Sequence, residues 1–501
     1  MSRATGPGSS RAAAEDGSRG MASDVVVVGS GPNGLAAAVT MARAGLSVTV
    51  YEAAGEPGGG LRTESLFRGD VVHDICSAVH PMAAASEFFR SFDLASRGVE
   101  LIRPEISYAH PLDGGRAALA HHDLDATCAG LGRDGRAWRR LMEPLLAHSR
   151  AVVDFALGGQ RSLPSDVRGP LLLARGMLRH GTPMARSAFR DEEAGALLAG
   201  VGAHVVGRMP TPASAGVALV LGHLAHGSGW PLPRGGSGRV AAALVAELRE
   251  LGGTVVTGRR VDDLRDLPRS ARAVLLDIGP KEFLRIGGAS LPRGYRAALR
   301  AYRHGPGAAK VDFLTSGPVP WAHPEVGRAG TVHLGGGQED IFRQESAVAR
   351  GVAGGEPFVL VVDPASVDPG RAGERGHRPV WAYAHVPNGD PTDPADLVTA
   401  RIERYAPGFA DTVVDRRSTS AAALESYNPN YVGGDIAAGA TTLRQTLFRP
   451  VPRWNPHRTP LRGVYLCSAA TPPGPGVHGM AGVLAARSAL RHEFGTGVEI
   501  G

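Results

Sequence analysis

The sequence Val-Val-Val-Val-Gly-Ser-Gly-Pro-Asn-Gly, residues 25–34, decides the fold of this chain. Its run of four valines is typical of a short strand that is buried on both faces in a parallel sheet. Leu35–Ala44 has the composition of an alanine-rich helix that ends at Gly45, and Ser47–Tyr51 predicts a second buried strand. A strand, a glycine turn, a helix and a strand within about 30 residues predict a βαβ unit.

The glycines of this turn suit the pyrophosphate of a dinucleotide. Gly29 permits a sharp exit from the strand, and Gly31 lets the backbone approach the phosphates. Gly34 lets the helix pack closely on the strand, so that the positive helix N-terminus faces the phosphate charge. Glu52 ends the second strand, where an acidic residue can bind ribose hydroxyls. Among 69 glycines the turn alone is a weak signal, but this context makes it specific.

The composition is that of a globular protein with more than one domain. A chain of 501 residues exceeds what one hydrophobic core usually holds. Hydrophobic residues make up 43% and charged residues 20%, which excludes a disordered or fibrous chain. The formal net charge of +6 comes almost wholly from arginine, and no basic cluster is interleaved with aromatic residues. Nucleic-acid binding is therefore not indicated.

Cysteine usage and apolar runs suggest a cytoplasmic protein. The three cysteines lie far apart without a Cys-x-x-Cys pair, so neither a dithiol redox centre nor a metal site is predicted. No apolar run reaches the roughly 18 to 20 residues that span a bilayer. Residues 1–20 are rich in Ser, Gly, Arg and Ala and predict a disordered extension, with Met21 as an alternative start.

The stretch Pro170–Arg186 mixes leucines with arginines. This pattern favours a basic amphipathic helix, which could lie peripherally on a membrane and admit an apolar substrate. The alternative is an ordinary domain helix with a solvated arginine face. Gly169-Pro170 and Gly176 argue against one continuous helix.

The remaining pattern predicts an α/β domain assembled from three segments of the chain. The elements expected after residue 230 are a helix at Arg239–Leu251, strands at Thr254–Thr257, Ala309–Leu314, Phe358–Val362, Val380–His385 and Gly463–Ser468, and a closing helix at Met480–Phe494. We therefore predict a nucleotide-binding domain formed by residues 21–100, 230–300 and 425–501. Residues 101–229 and 301–424 would form a substrate-binding domain inserted twice.

Five further segments carry a family resemblance that extends over nearly the whole chain. They are Gly58–Thr63, Ser77–Pro81, Trp230–Gly236, Trp381–Pro387 and Thr471–Met480. With them the chain resembles the phytoene desaturase and amine oxidase branch of flavoproteins, and most of all the phytoene-dehydrogenase-related oxidoreductases. The resemblance implies an α/β fold: a Rossmann-like FAD-binding domain of glutathione-reductase type with an inserted α+β substrate domain.

The resemblance also implies that FAD is held from both ends of the chain. Glu52 would bind the adenosine ribose, Val261 would present its backbone to adenine, and the loop Ala469–Met480 would pass the ribityl chain and the isoalloxazine ring. The implied FAD contacts are Gly29, Gly31, Pro32, Asn33, Gly34, Glu52, Ala53, Gly59, Gly60, Arg62, Val261, Ala469, Gly476, Val477, His478, Gly479 and Met480.

Two positions depart from the family pattern. Gly60 stands where many relatives carry an arginine, and Arg62 follows two residues later. Ala469 provides no carboxylate for the ribityl hydroxyls, so backbone groups would bind them.

Candidates for the chemistry are a lysine and several histidines, since a flavin removes hydride without a protein triad. Lys310 lies on a strand that resembles the one on which flavin amine oxidases carry a lysine that holds a water at flavin N5. A structural strand lysine is the alternative. His80, His385 and His478 could act as acids or bases near neutral pH, or be hydrogen-bonded structural groups. The aromatic pair at Trp381 and Tyr383 shares one strand face and would shape a substrate channel or fill core.

These observations predict an FAD-dependent oxidoreductase that removes hydride from a C–C or C–N bond of a largely apolar small molecule. Carotenoid-type desaturation is the reaction that the resemblance implies, and amine oxidation is the second. No second strand–turn–helix unit is present for a nicotinamide cofactor, so dioxygen, a quinone or another small acceptor would take the electrons. The contrasting class is a non-catalytic binder of the Rab GDP-dissociation inhibitor type, against which Glu52 and the C-terminal loop argue.

Overall fold

The structure is a computed structural model that describes residues 23–67, 69–159 and 166–496. The predicted extension 1–20 and Met21 lie outside the described residues.

The strands of the described residues are short in one sheet and longer in another. In chain order they are β1 (Val25–Val28), β2 (Val48–Tyr51), β3 (Thr63–Glu64), β4 (His73–Asp74), β5 (Leu101–Ile102), β6 (Ile106–Leu112), β7 (Arg116–His121), β8 (Leu232–Pro233), β9 (Thr254–Val256), β10 (Ala273–Leu276), β11 (Gly307–Thr315), β12 (Val332–Leu334), β13 (Val359–Val362), β14 (Arg378–Val386), β15 (Val413–Thr419) and β16 (Val464–Leu466).

The α-helices of the same residues are α1 (Pro32–Arg43), α2 (Pro81–Ala85), α3 (Glu87–Phe92), α4 (Leu124–Gly130), α5 (Gly135–Ala147), α6 (Ser149–Leu157), α7 (Arg168–His180), α8 (Glu192–Gly202), α9 (Pro212–His226), α10 (Gly238–Glu250), α11 (Pro280–Gly287), α12 (Arg293–Arg300), α13 (Gln338–Val348), α14 (Ala395–Glu403), α15 (Phe409–Thr412), α16 (Ala421–Tyr427), α17 (Leu443–Phe448) and α18 (Met480–Ala489).

A parallel five-stranded sheet has the order β16-β10-β1-β2-β9. Its central strand β1 is buried along its whole length, as the valine run predicts. The α/β fold with a Rossmann-like sheet is thereby confirmed. The strands lie within the three segments 21–100, 230–300 and 425–501, and the domain bounds themselves stay a prediction.

Helix α1 packs on this sheet together with α10 and α18. It begins at Pro32 directly after the glycine turn, because proline suits the first position of a helix, which needs no N–H donor. Gly482 of α18 lies so close to the backbone oxygen of Asn33 that it leaves no space for a Cβ. The C-terminal helix is therefore held directly against the start of α1.

A seven-stranded mixed sheet has the order β15-β11-β14-β13-β12-β6-β7. Side chains alternate between its faces. Val311, Phe313, Val380 and Ala382 face a core that includes Val398 of α14. The residues that alternate with them along the strands, such as Lys310 and Trp381, face the opposite side. That second face is turned toward the candidate site.

Helices α5, α7 and α8 pack around α9. Helix α7 runs unbroken through Gly169-Pro170 and Gly176, so the predicted positions of the interruption are wrong. The helix nevertheless ends at His180 and a separate 3-10 turn follows at Pro183–Ser187, so Pro170–Arg186 is not one continuous helix. Close helix packing explains why a glycine stands at position 176, because a Cβ there would lie 2.5 Å from Leu219 Cδ1 of α9. Within the described ranges, no helix has the length and apolarity that crossing a bilayer requires.

Candidate active site

One continuous cavity of about 940 Å³ extends from the glycine turn to the inner face of the seven-stranded sheet. Its volume falls in the range of ligand pockets. Most of the predicted site residues line it, including Gly29, Glu52, Val261 and Lys310. A second cavity, of about 1140 Å³, lies outside α18 and contains only Met480 among the predicted site residues.

The glycine turn forms one end of the cavity. Gly29, Gly31, Pro32 and Asn33 line it, whereas Gly34 does not. Gly29 has a φ of +96°, which only glycine adopts without strain, and a Cβ there would lie 2.9 Å from the backbone oxygen of Asp277. The turn therefore presents bare backbone to the cavity, as a pyrophosphate site requires.

The carboxylate of Glu52 is held by the turn itself. Its Oε2 accepts hydrogen bonds from Ser30 N at 2.9 Å and from Ser30 Oγ at 2.6 Å. Its Oε1 accepts one from Ala54 N at 2.8 Å and lies 3.5 Å from Arg62 Nη2. Both oxygens are fixed before any ligand binds, so the group is preorganised to accept hydroxyl hydrogens.

The segment around Val261 forms the end of the cavity beyond Glu52. Val261 and Ala53 line this end, and the Arg259 guanidinium lies over the Tyr51 ring, 5.0 Å from its centroid. The Val261 carbonyl accepts from Arg285 Nη2 at 2.9 Å. Its backbone N–H has no protein acceptor among the described residues and is available to a ring nitrogen such as adenine provides.

Gly59, Gly60 and Arg62 line the middle of the cavity. A Cβ on Gly60 would lie 2.7 Å from Tyr431 Oη, so a side chain at this position would require the Tyr431 ring to move. The guanidinium of Arg62 instead lies over the Tyr427 ring, 5.3 Å from its centroid. Cys76 also lines the cavity, and burial raises the pKa of its thiol to about 11, which keeps it protonated.

The C-terminal loop contributes Ala469, Gly476 and Val477 to the lining, but His478, Gly479 and Met480 lie behind it. His478 is fully buried, donates from Nε2 to the Gly474 carbonyl at 3.1 Å and accepts from Met480 N at Nδ1, at 3.0 Å. Burial lowers its pKa to about 4. Both ring nitrogens of His478 are thus used to shape the loop, and its catalytic role stays a prediction.

Lys310 lies in the cavity wall on β11, and its ammonium group is already paired. Nζ donates to Asp312 Oδ1 at 2.5 Å and to the Asp74 carbonyl at 3.3 Å. It also lies 5.6 Å from the centroid of the Trp381 ring. The structure brings Lys310 to the cavity, and its role toward a flavin stays a prediction.

Two of the predicted histidines have structural partners. His80 lines the cavity with Nε2 2.8 Å from Ser237 Oγ, which itself donates to the Ser77 carbonyl, so His80 must be the donor. Its Nδ1 is buried without a partner, and burial lowers its pKa to about 4. His385 lies outside the cavity lining and pairs with Glu345 Oε1 at 2.8 Å.

Three cavity residues were not singled out from the sequence. Asp277 lies directly beside the glycine turn, Tyr431 covers Gly60, and His204 meets His333 through their Nε2 atoms at 2.9 Å. An acidic residue at the carboxyl end of a parallel strand is a usable signal for Asp277, since ligands bind at that edge. Nothing local in the sequence marks the other two.

The comparisons with known proteins agree with this geometry. Residues 27–93 match the family described as an NAD(P)-binding Rossmann-like domain. Over 93% of both chains, the protein is 26% identical to pyridine nucleotide-disulfide oxidoreductase domain-containing protein 2 of Rattus norvegicus. A limonene dehydrogenase component from Castellaniella defragrans is 25% identical over 90% of this chain and 91% of its own.

A desaturase and an amine oxidase are also similar. Hydroxyneurosporene desaturase of Cereibacter sphaeroides is 30% identical over 49% of this chain and 54% of its own. A putrescine oxidase triple mutant matches with a TM-score of 0.59 and 17% identity, over 95% of this chain and 99% of its own. At that identity the second similarity shows the fold alone.

Proposed function

We propose that this chain, which is similar to a desaturase and to related oxidoreductases, uses FAD to remove hydride from a largely apolar organic substrate. The observation that carries the proposal is the single cavity, which joins a dinucleotide-binding turn to an apolar chamber. A dinucleotide bound at the turn would have its reactive ring directed into the same space as the substrate.

The residues present fit FAD. Gly31 leaves room for a pyrophosphate at the start of α1, where Asn33 also lines the cavity. Glu52 has a fixed carboxylate for ribose hydroxyls, and Val261 has an N–H without a protein acceptor among the described residues for adenine. When bound, FAD supplies the hydride acceptor. The protein binds and orients both molecules and keeps water out of the chamber.

The chamber around the substrate is lined by apolar side chains. They come from α9 and from the inner face of the seven-stranded sheet, and they include Val217, Val220, Leu221, Leu360, Val362 and Trp381. Burial of apolar surface contributes roughly 25 cal/mol per Å² to binding, so such walls favour a hydrocarbon-like substrate. The names of two relatives refer to limonene and hydroxyneurosporene, both isoprenoid compounds. Desaturation of a C–C bond is accordingly the reaction that we propose.

Amine oxidation is the second candidate reaction, and Lys310 favours it. The lysine lies in the cavity wall beside the parallel rings of Trp381 and Tyr383, whose centroids are 5.8 Å apart with 13° between the planes. These rings stack on each other along β14, so they form one aromatic wall of the chamber. The electron acceptor in either case would be dioxygen, a quinone or another small molecule.

Helix α7 would bring the chamber to a membrane surface. Its outer face exposes Leu171 and Leu178, at 65% and 62%, next to the exposed Arg168 and Arg175. Its inner face contributes Leu173 to the cavity lining. Apolar side chains among arginines fit the surface of an anionic bilayer, from which an apolar substrate would enter.

The first experiment is the absorbance spectrum of the purified protein. We expect a yellow protein whose bound flavin is FAD, identified after release by chromatography against FAD and FMN standards. A colourless protein that cannot take up added FAD would contradict the proposal and favour the non-catalytic alternative. Anaerobic bleaching should then be measured with a panel of polyenes, monoterpenes, amines and alcohols. Bleaching by amines alone would replace desaturation with amine oxidation.

A further inference from the structure

Asp277 places a carboxyl group at the floor of the glycine turn. The residue follows β10, the neighbour of β1 in the parallel sheet. Its Oδ2 accepts a hydrogen bond from Gly34 N at 2.9 Å, and a Cβ on Gly31 would lie only 2.6 Å from the same oxygen. Asp277 also lines the cavity beside Gly29 and Gly31. A pyrophosphate bound on this turn would therefore approach the carboxyl group.

Few groups around Asp277 stabilise the negative charge of its ionised carboxylate. Burial, opposed by the N–H groups of Gly34 and Gly31 and reinforced by the charge of Glu52, raises the pKa of this carboxyl group to about 7. No side-chain cation forms an ion pair with it among the described residues. The negative charge of Glu52, which Arg62 meets at 3.5 Å, still disfavours ionisation of Asp277, and a bound pyrophosphate adds further negative charge.

The cations of the other elements packed here form no ion pair with Asp277 among the described residues. Cys467 follows β16, and burial together with the charge of Asp277 raises the pKa of its thiol well above its usual value, so it stays neutral. On α11, Glu282 and Arg285 pair with each other at 2.9 Å. The start of α1 offers only backbone N–H groups. Proton uptake is the route by which this site can lose negative charge.

We propose that Asp277 couples occupancy of the dinucleotide site to proton uptake: its carboxyl group is neutral when a pyrophosphate lies on the turn. The inference rests on the proposed use of FAD. Protonation removes the charge and leaves a carbonyl oxygen that still accepts from Gly34 N. Binding of FAD thus takes up a proton at any pH where the free site is ionised, and the cofactor dissociates more readily in alkaline solution.

The test is the dissociation constant of FAD, measured by flavin fluorescence between pH 6 and pH 9. We expect a constant value below pH 7 and an increase of about tenfold per pH unit well above it. Calorimetry at pH 8 in buffers of different ionisation enthalpy should report uptake of about one proton. ADP-ribose, which carries the same pyrophosphate, should show the same pH dependence, and riboflavin, which has none, should not.

Asp277→Asn is the matched variant, because the amide is neutral and its oxygen can still accept from Gly34 N. In this variant the dissociation constant of FAD should not vary with pH. Asp363→Asn, which changes a partly buried aspartate outside the cavity, should behave like the wild type. A wild-type dissociation constant that does not change with pH, or an increase with pH that persists in Asp277→Asn, would overturn the proton-uptake inference but not the proposed use of FAD. Absence of FAD binding at every pH would overturn the proposed cofactor as well. If Asp277→Asn does not fold, the wild-type profile and the proton count decide.

Discussion

Lys310 and Asp312 form an ion pair on the cavity side of β11, with Nζ 2.5 Å from Oδ1 and both residues almost completely buried. They stand two positions apart on one strand and therefore share a face. Replacing the lysine by an uncharged residue leaves the Asp312 carboxylate without its ion-pair partner in a buried wall. The effect of such a substitution on stability must therefore be measured separately from its effect on the reaction.

Lys310→Met should lower the free energy of unfolding by about 3–5 kcal/mol, because removing one partner of a buried ion pair leaves the other charge uncompensated. Adding Asp312→Asn removes that charge and should restore much of the loss. Urea unfolding of the two variants and the wild type measures both effects. Equal stability of Lys310→Met and the wild type would show that the pair is solvated.

The double variant Lys310→Met/Asp312→Asn also tests a role in flavin reoxidation. If Lys310 acts at the flavin, dioxygen should reoxidise the reduced double variant at least about tenfold more slowly, the effect of a positioned group. Asp312→Asn alone is the control, since it keeps the ammonium group. Stopped-flow absorbance gives the rates. Equal rates in the two variants would leave Lys310 a structural residue.

Filling the chamber should block the substrate without removing the cofactor. Val217 lies on α9 in the cavity wall and is partly exposed to it, so an indole at this position would enter the open space. We expect Val217→Trp to retain flavin absorbance and to lose at least about 90% of anaerobic bleaching by any substrate that the wild type accepts. Val217→Leu, which adds only one methylene, is the control and should have a smaller effect. Normal bleaching in Val217→Trp would place the substrate elsewhere.

The buried histidines predict loss of stability in acid. Burial is the largest cause that lowers their pKa values from 6.5 to about 4, so the folded protein binds fewer protons than the unfolded chain between these values. The free energy of unfolding therefore falls as the pH drops through this window, by up to about 3 kcal/mol for each histidine. The histidines concerned are His80, His110, His180, His223, His226, His457 and His478.

Thermal unfolding between pH 7 and pH 4 measures this effect. His110→Gln should flatten the profile slightly, because it removes one group that must stay neutral. A melting temperature that is unchanged from pH 6.5 to pH 4.5 would contradict the prediction.

The membrane contact is tested on α7. Leu171→Asp/Leu178→Asp should reduce binding to phosphatidylcholine vesicles containing phosphatidylglycerol by about tenfold or more, because two apolar groups become charged. Leu251→Asp changes an exposed leucine on another helix end and is the control. Vesicle flotation gives the bound fraction. Binding that persists in the double variant, or that never occurs in the wild type, would remove the membrane from the proposal.

Local pattern predicts the first βαβ unit well. The valine strand, the glycine turn, α1 and β2 depend on neighbours in sequence, and Glu52 follows from its offset to the turn. The strands β11, β13 and β14 were predicted within a few residues by their alternation. In these places the periodicity of the side chains determines which face is buried.

Long-range contacts account for what sequence reasoning missed. Asp277 reaches Gly34 only because β10 pairs with β1, which brings together two residues that are 243 positions apart in the sequence. His478 looks like an active-site histidine in its motif, and the loop geometry that uses both its nitrogens appears only in three dimensions. Gly176 is a helix breaker by propensity, but packing against Leu219 outweighs that preference.

The order of strands in the parallel sheet has a consequence for biosynthesis. Strand β16 and helix α18 leave the ribosome after every strand of the seven-stranded sheet, yet they pair with β10 and pack on α1. The nascent chain must keep the valine strand and its neighbours competent to fold while more than four-fifths of the protein is made. Until β16 is made, the edge of β10 that it later covers stays unpaired, and an open strand edge of this kind favours wrong pairing during folding.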